Sequence, residues 1–160
     1  MGIEYKKLQN GSDIRGVSLS GVDGEHINLS ADEATKIARG FLLWLSKKTG
    51  KTPDRLTIAI GRDPRLSGKH LLLGLTNGFG PYGSQVLDCG LASTPAMFMS
   101  TVFPKFQCDG AIMITASHLP ANRNGFKFFD KDGGLNKADI TQILKTAMEG
   151  KKALAPDRKS

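Results

Sequence analysis

The residues with the plainest chemical potential stand together at Thr115-Ala116-Ser117-His118-Leu119-Pro120, directly after the apolar run Gly110-Ala111-Ile112-Met113-Ile114. A short run of this kind suits a buried sheet strand, so Ser117 is expected just past a strand end, where a hydroxyl can meet a substrate. The plainer alternative is a turn in which Ser117 and His118 satisfy only neighbouring backbone groups. A second polar cluster, Gly61-Arg62-Asp63-Pro64-Arg65, follows another apolar run, Leu56-Thr57-Ile58-Ala59-Ile60. Arg62 and Arg65 could serve the same anion-binding pocket, or Asp63 could hold them in a local ion pair. A third cluster, Asp130, Asp132, Gly133 and Gly134, has the outline of a calcium loop. It lacks the remaining ligands and the distal glutamate, so a charged β-turn is expected there.

These clusters need elements to position them. Asp13 to Ser18 alternates as a strand does and runs into a glycine-rich turn through Gly21 and Gly24. Ser30 caps a helix running to about Lys48, with Asp32 and Glu33 in its first turn and Ile37, Phe41, Leu42 and Leu45 on one face. Lys47, Lys48 and Gly50 finish it. After the strand at 56–60, Ser67 is expected to cap a second helix carrying Leu71, Leu72, Leu75 and Phe79, and a strand follows at Gln85 to Asp88. A third helix is expected from Thr94-Pro95 through Met97 and Phe98 towards Phe103, stopped by Pro104. The strand at 110–115 is followed, after a turn at Asn124-Gly125, by another at Phe126 to Phe129. The short link between the two permits an antiparallel pair. A last helix, Lys137 to Met148, carries Ile140, Ile143, Leu144 and Ala147 on one face.

Alternating strands and helices of this type imply an α/β fold: a three-layer α/β/α sandwich around a mostly parallel or mixed sheet of about four strands. With 160 residues, 39% of them hydrophobic, the chain suits one domain. That domain is expected over residues 13–149, with a flexible lead-in at 1–12 and a flexible basic tail at 150–160. The net charge of +7 sits partly in Lys6, Lys7, Lys151, Lys152, Arg158 and Lys159, near the chain ends, where charge is usually solvated. No aromatic and basic platform accompanies it, so nucleic acid is not an expected partner. No apolar run approaches the roughly 18 residues of a membrane span, so no membrane partner is expected either. The two cysteines, Cys89 and Cys108, lack metal-ligand spacing and are expected to be reduced thiols of an intracellular protein.

Four segments together resemble one family. The segment from Thr115 to Phe129, TASHLPANRNGFKFF, is similar to the active-site loop of the α-D-phosphohexomutases, commonly TASHNP with NGFKF shortly after. Asp13-Ile14-Arg15-Gly16 resembles that family's amino-terminal DIRG, and Gly61 to Gly68 its GRDxRLSG turn; Ser93-Thr94-Pro95 is a weaker likeness. The resemblance spans roughly Asp13 to Leu144 and corresponds to the first of four domains, the phosphoserine domain. It implies an intramolecular phosphotransferase that interconverts hexose 1-phosphates and hexose 6-phosphates through a phosphoserine and a hexose 1,6-bisphosphate. By the same resemblance Ser117 carries the phosphoryl group, His118 stands beside it, Arg15 and Lys127 balance charge or exchange a proton, and Arg62, Arg65 and Asn124 serve substrate or phosphate. Mg²⁺ is implied as the cofactor of the full-length enzyme, with the Ser117 phosphate as one ligand and the rest absent from this chain. The implied partners are a hexose phosphate and the missing mutase domains, and the implied location is the cytoplasm, or the plastid stroma after removal of a transit peptide. Two departures stand out: Leu119 replaces the usual asparagine, and there is no aspartate cluster like DGDGDR. The chain is therefore expected to be inactive alone, and the competing reading is a non-catalytic interaction module that keeps the fold.

Overall fold

The structure, a computed structural model, describes residues 4–94, 97 and 108–149. Its centre is a mixed sheet. In chain order the strands are β1 (Gln9–Asn10), β2 (Asp13–Val17), β3 (Thr57–Arg62), β4 (Gln85–Leu91), β5 (Gly110–Ile114), β6 (Arg123–Asp130) and β7 (Gly133–Gly134). They lie side by side as β1-β2-β6-β5-β3-β4, with β7 paired to β6. The strand β3 runs parallel to β4 and β5, while β6 is antiparallel to β5 and β2. The anticipated antiparallel partner of β5 is therefore present. The sheet has seven strands among the described residues where about four were expected. Part of that difference is β1 and β7, of two residues each, too short to show any periodicity in sequence.

Three helices, α1 (Ala31–Thr49), α2 (Gly68–Phe79) and α3 (Lys137–Glu149), bury their apolar stripes against one face of the sheet. Ile14, Ile58, Ile60, Ile112, Ile114, Phe126 and Phe128 supply the sheet side of that core. The α1 terminus forms because its donors are met locally: the Ser30 hydroxyl accepts from Asp32 N, and the Glu33 carboxylate accepts from Ser30 N at 2.8 Å. Gly50, at φ 77°, closes the other end in the left-handed conformation. The helices α1 and α2 approach closely because α2 turns two glycines to its neighbour. A Cβ on Gly74 would stand 2.4 Å from the Ala31 carbonyl oxygen, and one on Gly78 2.5 Å from that of Thr35. Thr35 Oγ1 uses the closeness to donate to the Gly74 carbonyl at 2.8 Å.

The opposite face carries a smaller apolar cluster of Ala59, Met97, Cys108, Ala111, Met113 and Phe129. Thr94 and Met97 are helical, and Met97 lies on this face over Gly61, where a Cβ would be 2.5 Å from its sulfur. The rest of the third helix expected from Thr94 to Phe103, and the tail at 150–160, lie outside the described residues.

Three local expectations are corrected. Residues 5–10, anticipated as part of a loose lead-in, form a 3-10 turn (Tyr5–Leu8) and β1, and Tyr5 and Leu8 are buried in the main core. Two apolar residues three apart give too brief a signal to stand out in sequence. Asn124 and Gly125 are not a turn: they sit inside β6, opposite Gly16 and Arg15. The chain reverses earlier, where Arg123 N donates to the Pro120 carbonyl at 2.9 Å. Ser67 precedes α2 without a side-chain cap, because its hydroxyl instead accepts from the Asn124 amide at 2.8 Å.

Candidate active site

Ser117 stands three residues past the carboxyl end of β5, exposed, with φ 54°. It is the one non-glycine residue with positive φ among those described, in a region that side chains avoid at a cost of about 1–2 kcal/mol. Both its backbone polar groups are held by side chains. Ser117 N donates to Thr115 Oγ1 at 3.0 Å, and Arg65 Nη2 donates to the Ser117 carbonyl at 2.7 Å. Thr115 Oγ1 in turn donates to Asp63 Oδ2 at 2.6 Å.

Strand alternation brings the cations to the same place. In β2, Asp13 and Arg15 are two residues apart and so share a face, and β6 puts Lys127 beside them. Lys127 Nζ donates to both oxygens of Asp13, at 2.9 and 3.1 Å, and Arg15 Nη2 donates to Asp13 Oδ2 at 3.0 Å. The same Arg15 nitrogen lies 3.4 Å from Ser117 Oγ, and Nη1 donates to the Ala116 carbonyl at 3.3 Å. Gly125 makes room for this, since a Cβ there would stand 2.8 Å from Arg15 Cδ and 2.1 Å from the Ile14 carbonyl oxygen. Arg15 and Lys127 thus bracket one buried carboxylate next to the exposed hydroxyl, leaving an excess of positive charge there.

The remaining expected residues divide. Arg65 joins the site, but as a brace: its guanidinium also donates to the carbonyls of Pro120 at 2.8 Å and Arg123 at 3.2 Å, and it lies 3.5 Å from Asp63. The ion pair with Asp63 and a place beside Ser117, set against each other in the sequence reading, are both present. His118 is exposed on the loop beside Ser117. Arg62 pairs with Ile114, whose side chain is in the main core, and its side chain runs towards the start of α2, where a Cβ on Gly68 would be 3.3 Å from Arg62 Cδ. Asn124 is turned inward. It is fully buried, its amide nitrogen on Ser67 and its oxygen accepting from Gly125 N at 2.9 Å. Asp13 and Thr115 join the site beyond the residues expected there; the spacing of Asp13 two before Arg15 in a strand is the signal in sequence that pairs those two.

Glu25, from the loop before α1, anchors the far end of the Ser117 segment. The Asn122 amide donates to it at 2.8 Å and Arg123 Nε at 3.3 Å, and these contacts, the Asn122 bond foremost, hold its carboxyl below the ordinary range.

A magnesium ion needs near-octahedral oxygen coordination. Among the described residues no three His, Cys, Asp or Glu side chains gather to hold a metal. The carboxylates beside Ser117 are engaged: Asp13 by Lys127 and Arg15, Asp63 by Thr115 and Arg65. The residues present do not fit a Mg²⁺ site of their own. The Asp130 and Asp132 cluster is the charged turn expected, joining β6 to β7, with Lys48 bound to both carboxylates.

Fold and site together define an α/β/α domain that presents a serine hydroxyl among cations. The family profile described as phosphoglucomutase/phosphomannomutase, alpha/beta/alpha domain I, matches residues 6–154, and the chain belongs to that family. It is similar to the phosphoglucosamine mutase of Corynebacterium jeikeium (strain K411), 35% identical over 134 residues, covering 81% of this chain and 30% of that protein. Another phosphoglucosamine mutase, from Thermoanaerobacter sp. (strain X514), is 43% identical over 79 residues, 49% of this chain and 17% of that protein. The crystal structure of a phosphoglucomutase/phosphomannomutase family protein from Burkholderia thailandensis superposes with a TM-score of 0.75 at 27% identity, over 93% of this chain and 31% of that one. The chain spans less than a third of the length of these relatives. Among the described residues no helix is long and apolar enough to cross a membrane.

Proposed function

We propose that this chain is the phosphoserine domain of a phosphohexomutase and that Ser117 carries the transferable phosphoryl group. The observation that carries the reading is the placement of one exposed, left-handed serine within 3.4 Å of Arg15, itself coupled through Asp13 to Lys127. In the forward half-reaction a hydroxyl oxygen of the hexose monophosphate attacks phosphorus, the bond from phosphorus to Ser117 Oγ breaks, and the hydroxyl proton passes to a base. The charge left on Ser117 Oγ falls beside the Arg15 guanidinium, and Lys127, bound to Asp13, would meet charge on the transferring group or exchange the proton. The return step moves the other phosphate of the bisphosphate to Ser117, so the sugar leaves with its phosphate on the opposite carbon. Phosphoryl transfer depends chiefly on positioning and electrostatics.

Ser117 is exposed to solvent at the end of β5. The remainder of the sugar site, and the Mg²⁺ ligands, would come from further mutase domains. Because the similar proteins of Thermoanaerobacter and Corynebacterium are phosphoglucosamine mutases, glucosamine phosphates are the first substrates to test, beside those of glucose and mannose. With hexose 1-phosphate, hexose 1,6-bisphosphate and Mg²⁺, the isolated chain should show no sustained interconversion, while the bisphosphate should leave one phosphoryl group on wild-type protein and none on Ser117→Ala. Sustained turnover by the isolated chain would contradict its dependence on other domains. Binding of a protein partner with no phosphorylation would favour a non-catalytic module.

A further inference from the structure

Both backbone polar groups of Ser117 are captured by side chains, and those side chains capture one another. Thr115 Oγ1 accepts the Ser117 N–H at 3.0 Å while donating its own proton to Asp63 Oδ2 at 2.6 Å. Arg65 Nη2 takes the Ser117 carbonyl at 2.7 Å, and the Arg65 guanidinium lies 3.5 Å from that same Asp63 oxygen. Asp63 Oδ1 accepts from Arg65 N at 3.3 Å, which folds the 63–65 segment back on itself. The ring of contacts from Ser117 N–H through Thr115, Asp63 and Arg65 to the Ser117 carbonyl is closed. It is anchored in rigid structure, because Asp63 N donates to the Ile114 carbonyl at 3.1 Å and Thr115 N to that of Gly125 at 2.9 Å.

We propose that Asp63, Thr115 and Arg65 are positioning residues that impose the left-handed backbone of Ser117 and so aim its hydroxyl at Arg15 before any substrate arrives. The physical case lies in the pairing of a disfavoured conformation with an unusual amount of support. A serine left to itself abandons φ 54° for the right-handed or extended regions. Such a conformation persists only where its surroundings over-determine it, and here each backbone group of the strained residue has a dedicated side-chain partner. The Thr115 hydroxyl is also shielded: Thr115 is 7% exposed, so water competes poorly for its two bonds, while the Arg65 bond to the Ser117 carbonyl lies at the exposed rim. None of the three need touch the transferring phosphate. Their task is to remove the conformational search that a loop serine would otherwise make at every turnover.

The catalytic consequence rests on the phosphoserine reading above, but the backbone claim does not, and the experiment separates them. Amide hydrogen exchange and backbone chemical shifts of Ser117 are measured by NMR in the 160-residue chain and in Thr115→Val, Thr115→Ser and Arg65→Lys. Thr115→Val keeps the shape of the side chain and removes the hydroxyl, and Thr115→Ser restores it. Exchange at Ser117 should quicken about tenfold in Thr115→Val, with its shifts moving away from left-handed values, and should return to within about twofold of wild type in Thr115→Ser. Arg65→Lys, which loses the planar fork, should move the same shifts, and it serves as the probe if Thr115→Val does not fold. In parallel, phosphoryl uptake by Ser117 from hexose 1,6-bisphosphate should slow about tenfold in Thr115→Val and recover in Thr115→Ser. Left-handed shifts retained at Ser117 in Thr115→Val and Arg65→Lys would overturn the positioning role. Failure of wild type to take up phosphate would remove the phosphoserine reading and leave the backbone result standing.

Discussion

The left-handed serine makes a prediction whose sign is opposite to ordinary expectation: replacing Ser117 by glycine should leave a more stable protein than replacing it by alanine. Glycine is normally the worse choice, because it costs about 0.5–1 kcal/mol of extra chain freedom in the unfolded state. At φ 54° the balance reverses, since alanine retains the clash of about 1–2 kcal/mol between Cβ and the following carbonyl and glycine has none. Both variants lose the hydroxyl and its 3.4 Å contact with Arg15, so that loss cancels in the comparison. The net expectation is a Ser117→Gly chain more stable than Ser117→Ala by about 0.5–1 kcal/mol. Urea unfolding followed by circular dichroism reads this directly: with a slope of roughly 2 kcal/mol per molar, the glycine midpoint should lie about 0.25–0.5 M higher. Ser117→Ala itself should fall within about 0.5 kcal/mol of wild type, because the hydroxyl is exposed. A glycine midpoint at or below that of alanine would refute the strained geometry and the reasoning built on it.

Asp13→Asn should destabilise the fold by about 2 kcal/mol in the same assay, since it leaves Arg15 and Lys127, whose side chains are 15% and 31% exposed, without the carboxylate between them; a loss below about 0.5 kcal/mol would show that the cations are solvated independently. Gly74→Ala should cost about 1–3 kcal/mol, because the new methyl group meets the backbone oxygen of Ala31 at 2.4 Å, whereas alanine at Gly80, with nothing within 4 Å, should cost far less. Burial pushes the Cys108 thiol up to about 11, from an ordinary value of 9.0. A raised thiol leaves its contribution whole below pH 9 and removes it as the pH climbs towards 11, so wild type should lose roughly 2–3 kcal/mol over that interval that Cys108→Ala does not. Parallel pH profiles for the two proteins would contradict that account.

What was legible in the sequence is what local chemistry dictates. The helix after Ser30 was readable because Ser30, Asp32 and Glu33 satisfy its first turn within four residues, and Gly50 ends it within one. The strand before Ser117 was readable because all five of its residues are buried. The misreadings share one cause, a short-range signal redirected by a distant partner. Ser67 has the right identity for a cap, but Asn124, 57 residues away, takes its hydroxyl. Asn124-Gly125 is the commonest hairpin pair, but here the asparagine is an interior tie and the glycine lets Arg15 cross the sheet. The motifs singled out Ser117, Arg15 and Lys127, which the fold brings near one another, and Asp63 was read as a local ion partner of its neighbouring arginines. The bonds that organise them, from Lys127 to Asp13 across 114 residues and from Thr115 to Asp63 across 52, follow only from the order of strands in the sheet.

The most direct test of the central claim is the mass of the proteolytic peptide containing Ser117 after the chain has been incubated with hexose 1,6-bisphosphate. The account predicts one added phosphoryl group, fragmenting to Ser117 and never acquired by Ser117→Ala. An unmodified peptide, or a phosphoryl group on another residue that survives in Ser117→Ala, would contradict it.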